Sequence, residues 1–332
     1  MRQRGFTLIE TMISLVVSAF ILAGVMFTYL SMKVTTKATL DIGELQESAR
    51  LAMDILSQDI QQAGFWGTYY GSTLDSVNIT IPAAPAADCS EGDNNASFPN
   101  NPTSNFRYLY GIEATSTSAL GCITNAVTNS DVIQIKRLEG NSIGNTATSS
   151  NRYYLLVDQN SGTLFSGTGA AVALPQLNST IWPYNHHVYY ISNQTYNSGS
   201  KSITVPTLMR KRLTVTSGMA TETIMEGVEN MRFIYGLDSD GDNKVDSYKT
   251  SVQMAGSDWE QSLVKVLSVQ IFLLVRSFEE DSSSQAVSKE FTLGGTLDAD
   301  KRKLSFNDQY RRVLMVSTVK INNAGQNKWD ES

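Results

Sequence analysis

Three features of this 332-residue sequence predict an α+β fold, with a long N-terminal α-helix packed on an antiparallel β-sheet head. The chain opens on an apolar run that carries no charge between Glu10 and Lys33. That run passes into an amphipathic stretch of helical spacing that ends near Gly64. Beyond about residue 130 the apolar period falls from the 3.6 of a helix to the 2 of a strand.

The first element is a membrane span. At 1.5 Å of rise per residue, about twenty apolar residues cross roughly 30 Å of hydrocarbon. Arg2 and Arg4 precede the run, so the positive-inside rule keeps residues 1–5 in the cytoplasm and sends the chain after Lys33 outward. The expected organisation is a leader at 1–5, a transmembrane helix at 6–33, an amphipathic continuation at 34–64 and a β-rich head at 65–332. In the continuation Leu45, Ala49, Ala52, Leu56, Ile60 and Ala63 form an apolar stripe, with Glu44, Glu47, Arg50, Asp54 and Asp59 as the wet face. Gly24 and Gly43 mark places where the helix is expected to bend or loosen. Gly64 reads as its C-cap, with Phe65 and Trp66 packing back under the last turn.

The strands of the head follow from β-branched and aromatic runs at 132–136, 153–157, 187–192, 232–236, 264–275 and 311–321. Long polar segments at 74–130 and 140–152, rich in Asn, Ser, Thr, Gly and Pro, read as loops. No internal repeat is present.

Composition narrows the function. A net charge of −6 gives no long-range attraction for nucleic acid. Cys89 and Cys122 are the only cysteines; in an exported chain they suggest a disulfide, the alternative being two unrelated buried thiols. Such a bridge is worth roughly 3 to 4 kcal/mol on the chain-entropy estimate. His186 and His187 are the only histidines, and neighbours on a strand face opposite ways, so they cannot share a metal or a proton relay. No catalytic triad and no phosphate loop is visible, so no enzymatic activity is predicted. Trp66, Trp182 and Trp259 read as core or interface anchors. The basic clusters at 301–303 and 311–312 read as solvated strand ends.

One motif points to a metal. In LDSDGDNKVDSY, Asp238, Asp240, Asp242 and Asp246 fall at positions 1, 3, 5 and 9 of a calcium loop, with the Lys244 carbonyl at position 7. Asn243 stands where an EF-hand has Gly and Lys249 where it has Glu, so Asp258 or Glu260 or water is needed to complete the shell. The alternative is an acidic turn without metal. Mutual repulsion of the carboxylates favours Ca2+.

The string RGFTLIE resembles the processing signal of type IV pilins and type II secretion pseudopilins. The resemblance implies that a prepilin peptidase cuts after Gly5 and that Phe6 becomes the methylated N-terminus. It also implies that Glu10 neutralises the N-terminal amine of a neighbouring subunit during assembly. An acid in lipid costs a few kcal/mol unless partnered; the alternative is that Glu10 snorkels to the headgroups. MEGVENMRFIYGLDSDGDNKVDSY and the closing YRRVLMVSTVKINN are similar to the PilW family of type IV pilus minor pilins. That similarity implies a subunit that joins other minor pilins and the major pilin on the inner-membrane assembly platform. Such a subunit primes polymerisation, stands near the filament tip, and supports adhesion and motility. Its location would be single-pass in the inner membrane with a periplasmic head, and later the cell surface. The alternatives are a J-type minor pseudopilin of a type II secretion system and a membrane-tethered calcium-binding periplasmic protein.

Overall fold

Thr7 caps one α-helix, α1 (Leu8–Gln61), whose 54 residues span about 80 Å. The structure is a computed structural model and describes residues 7–69, 74–92, 94–159, 161–198, 201–281, 288–295 and 297–324. The helix runs unbroken through Gly24 and Gly43, so the loosening expected there is not seen. Neither glycine faces a neighbour that could pry the turn apart, and a Cβ at either would meet nothing within 4 Å.

The C-cap is Gln62, not Gly64. Gly64 instead makes the reversal after it, at φ +71°, a conformation that L side chains rarely adopt. Its N–H donates to the Lys136 carbonyl at 3.0 Å, and this bond turns the chain directly onto the sheet.

The head begins with an eight-stranded sheet: β1 (Ile79–Thr80), β2 (Leu109–Glu113), β3 (Asp131–Leu138), β4 (Tyr153–Val157), β5 (Gly162–Ser166), β6 (Thr180–Ser198), β7 (Lys201–Thr214) and β8 (Gly218–Glu226). β9 (Val228–Asp238), β10 (Ser247–Thr250), β11 (Lys265–Arg276) and β14 (Arg312–Lys320) form a second sheet in the order β10-β9-β11-β14. β12 (Lys289–Leu293) and β13 (Arg302–Phe306) pair as a hairpin, and a single turn of helix, α2 (Gly256–Trp259), precedes β11. All pairings are antiparallel except β1 with β5. The architecture is α+β, as predicted.

Every run read as strand coincides with one, but β1, β2, β5, β7, β8, β10, β12 and β13 had no clear signal, and β1 and β2 lie in the 74–130 segment read as loop. β7 illustrates why. It carries Pro206 and the basic triplet Arg210-Lys211-Arg212, which argue against a strand between two others. Pro206 lies just past the last β8 pair, Thr207 with Glu226. Arg210 and Arg212 both reach Glu222 on β8, each at 2.7 Å.

The core joins all layers. Leu45, Ala49, Ala52, Met53, Leu56 and Ile60 of α1 pack with β-sheet residues such as Tyr189, Phe233, Val269 and Val319. Trp259 is buried between Tyr110 and Tyr235, with ring centroids at 5.3 and 4.8 Å. Trp66 stacks on Tyr184 and Phe65 meets Trp182 edge-on. The tryptophans are anchors, as expected.

Two assignments made from polarity alone are overturned. Asp59, placed on the wet face of the helix, is buried. Arg302 and Arg312, read as solvated, have side chains only 7% and 1% exposed. Arg302 donates to Asp131 and Glu113 at 2.6 Å each. Arg312 reaches Glu229 and Asp308, also at 2.6 Å each. Opposite charge, supplied by Asp131, Glu113 and Glu229 on other strands and by Asp308 in the preceding turn, is what makes such burial tolerable.

Candidate functional site

Three regions carry the residues singled out by sequence: the stem, the acidic loop and the disulfide. Gly5 and Phe6 lie outside the described residues. The stem begins with a capping box: Glu10 accepts from the Thr7 N–H at 2.9 Å and its own N–H donates to the Thr7 hydroxyl at 3.4 Å. Glu10 therefore has hydrogen-bond donors but no opposite charge among the described residues. The most apolar 18 residues of α1 have a mean hydropathy of 2.2, and none of them is buried against the head. Ser14, Ser18 and Thr28 return their hydroxyls to carbonyls one turn earlier, at 2.6 to 2.9 Å. A helix with its polar groups satisfied internally is what a hydrocarbon environment requires.

The junction of stem and head is built around Asp59, which the sequence did not reveal. Its carboxylate accepts from His187 Nδ1 at 2.5 Å, Tyr189 Oη at 2.6 Å and Arg137 Nε at 2.6 Å. Burial pushes this carboxyl up, but His187, Arg137 and Tyr189 outweigh it and hold the group well below the usual carboxylate range. Burial, opposed by Arg210, pushes the Tyr189 hydroxyl up, with Asp59 adding to the rise. His186 points the other way, as expected for strand neighbours, and its Nδ1 lies 2.9 Å from the Ser97 hydroxyl. Burial, with Lys136 and His187 nearby, keeps the His186 imidazole neutral by lowering it well below its ordinary value. Lys136 is itself enclosed and donates to the Arg107 carbonyl at 2.7 Å. Burial lowers its ammonium to about 7.

In the acidic loop, Asp238, Asp240 and Asp246 bring carboxylate oxygens within 4.8 Å of one another. Asp238 is buried and accepts from the Gly241 and Asn243 N–H groups at 2.6 and 2.9 Å. Asn243 takes the left-handed φ of +61° expected at position 6. Asp242 turns to the Lys244 ammonium at 2.8 Å, which lowers its carboxyl. The acids expected to complete a shell are engaged elsewhere. Asp258 pairs with Lys249 at 2.7 Å and Glu260 lies 3.7 Å from Arg107. The lysine in place of the EF-hand glutamate thus neutralises one of the two reserve acids.

Cys89 and Cys122 are bonded across 33 residues. The polar segment they close is ordered by its own side chains. Asn94, fully buried, donates to the Asn101 and Ser104 carbonyls and accepts from the Asn100 N–H.

Residues 1–26 match the prokaryotic N-terminal methylation motif, and residues 188–323 match the family described as Type IV Pilus-assembly protein W. Comparison with curated proteins and with solved structures gives no match. The second match runs from the middle of β6 to the end of β14, and so takes in the acidic loop and the whole second sheet. The two matches, together with an exposed apolar helix long enough to cross a membrane, support a PilW-like type IV pilin.

Proposed function

We propose that this pilin is a minor subunit that joins other minor pilins in the inner membrane and primes pilus assembly, remaining near the filament tip. The observation that carries the reading is Glu10: a carboxylate at the start of a helix whose apolar half is exposed, its side chain bonded among the described residues to Thr7 alone. Peptidase cleavage after Gly5 frees the amine of Phe6, and the same amine on an adjacent subunit supplies the charge that Glu10 lacks. Neutralisation removes at most about 2.5 to 3.5 kcal/mol of burial cost for the acid, the figure for a charge at mid-membrane, which favours lateral docking of stems. Arg2 and Arg4 keep the leader cytoplasmic and the head periplasmic. The supporting test is gene deletion with counting of surface filaments. Wild-type complementation restores them, and Glu10→Val leaves them at the deletion level while the chain stays in the membrane. Filaments at wild-type number with Glu10→Val would defeat the reading.

The acidic loop is proposed to bind Ca2+ through Asp238, Asp240 and Asp246, with the Lys244 carbonyl and water as further ligands and Asp242 joining when it leaves Lys244. Calorimetry of the full chain in detergent should show calcium binding that Asp240→Ala abolishes. A flat wild-type titration ends this part of the proposal and leaves the assembly role untouched.

A further inference from the structure

The second sheet has one edge that is long, regular and unprotected. Sheet edges invite pairing with foreign strands unless they are short, charged, bulged or covered. β2 and β10 are short, at five and four residues. β8 has a register slip opposite Leu208 and Met209 and carries Glu222 and Glu226. The β12–β13 hairpin carries Lys289, Glu290 and Lys303. β14 is neither short nor bulged, and although α1 packs against it, no strand pairs with its outer side among the described residues. Its nine residues, RVLMVSTVK, pair with β11 without a slip, and charge occurs only at the two ends.

The hydrogen-bond parity shows which groups are open. Ser277 N–H donates to the Arg311 carbonyl and Ile321 N–H to the Leu267 carbonyl. In an antiparallel ladder the bonded pairs recur every second residue, so the odd-numbered residues of β14 bond to β11. The N–H and C=O groups of Leu314, Val316 and Thr318 therefore point away from the sheet. Val316, at the centre, is 56% exposed.

We propose that β14 receives an extended strand from the head of a neighbouring pilin subunit, which becomes the fifth strand of this sheet. The inference rests on the pilin reading. The neighbour is indicated by where the edge lies: Asn322 N–H donates to the Gln61 carbonyl at the end of α1, and Val319 and Ile321 share a core with Leu56 and Ile60. A subunit packed beside the head half of α1 thus stands beside this edge. Lys320 is exposed and forms no ion pair among the described residues, so the incoming strand carries an acidic residue at that end. Main-chain bonds supply the attraction and alternate side chains the selectivity, as in other strand additions.

Val316→Pro tests it in the full chain, expressed in cells that lack the native copy. The lost N–H points outward, so the ladder to β11 keeps its bonds, while an added strand loses a donor and meets the ring. Recovery in sheared filaments should fall by about tenfold or more, with unchanged membrane level and an intact Cys89–Cys122 bridge. Val316→Thr, which alters only the side chain, should be recovered as wild type. Normal recovery of Val316→Pro overturns the proposal. Should the proline variant misfold, amide exchange of the wild-type chain decides: Val316 and Thr318 exchange more slowly in filaments than in detergent, and equal rates overturn the proposal. Disulfide-linked homodimers of Val316→Cys in filaments would assign the edge to a second copy and overturn it as well. Absence of the wild-type chain from filaments would instead overturn the pilin reading, and this inference with it.

Discussion

Removing Asp59 should uncouple the head from the stem. Asp59→Ala leaves His187 Nδ1, Tyr189 Oη and Arg137 Nε without the oxygen that each now meets at 2.5 to 2.6 Å. The Arg137 side chain is 11% exposed and that of His187 6%, so water cannot readily replace the carboxylate. Deleting one member of a buried charge network costs about 3 to 5 kcal/mol, a large fraction of the roughly 5 to 15 kcal/mol that holds a typical domain together. Urea unfolding of the full chain in detergent, followed by the fluorescence of Trp66, Trp182 and Trp259, measures the loss. The pH dependence gives a second, independent readout. The folded carboxyl lies below its unfolded value of about 3.9. Its contribution is therefore complete above that pH and disappears as pH falls through the lower folded value. Between pH 5 and pH 3 the wild-type chain should lose more stability than Asp59→Asn, which has no such group to titrate. A loss below about 1 kcal/mol in Asp59→Ala, or identical acid slopes for wild type and Asp59→Asn, would show that the cluster does not hold the junction.

Three further outcomes follow from the buried charges and the bridge. Lys136 has a folded value of about 7, depressed by burial, so the unfolded chain binds the extra proton above that pH; stability should rise from pH 7 to 9.5, and Lys136→Met should flatten that rise in urea titrations. Arg302→Met strands Asp131, whose side chain is 1% exposed; it should cost about 3 to 5 kcal/mol, and adding Asp131→Asn should recover part of it because no lone charge remains. Replacing Cys89 and Cys122 together with Ser should lower stability by about 3 to 4 kcal/mol on the loop-closure estimate, and a reducing-agent shift on gels should vanish with it.

What could be seen in the sequence depended on how far away the explanation lay. The stem was legible because an uncharged apolar run needs no partner to be recognised, and Gly5, Phe6 and Glu10 fall at fixed spacing beside it. The six strands with β-branched, aromatic cores were legible for the same local reason. Asp59 was not: its helical position is ambiguous, and its partners Arg137, His187 and Tyr189 lie 78 to 130 residues away. Arg302 and Arg312 were misread likewise, since a basic residue looks solvated until Asp131 or Glu229 is placed against it. β7 and β8 stayed hidden because their charges are matched across the ladder, Arg210 and Arg212 to Glu222, and a single strand shows only half of each pair. In the acidic loop the spacing of the aspartates was visible. The diversion of Asp258 to Lys249 was not, because it needs the short helix α2 to bring the acid there.

Two acids near opposite ends of α1, Glu10 and Asp59, are held in different ways. Among the described residues Glu10 has partners only within its own first turn, so in the proposed docking only bonds with Thr7 would be exchanged for a neighbour's ammonium. Asp59 is tied to three side chains of the eight-stranded sheet, and the exit of the helix is held again by Gly64 to Lys136 and by Asn322 to Gln61. The proposed exchange at the first acid would relieve at most about 2.5 to 3.5 kcal/mol of membrane cost, whereas breaking the second costs about 3 to 5 kcal/mol. The proposed docking would therefore change partners at Glu10 and leave the Asp59 junction intact.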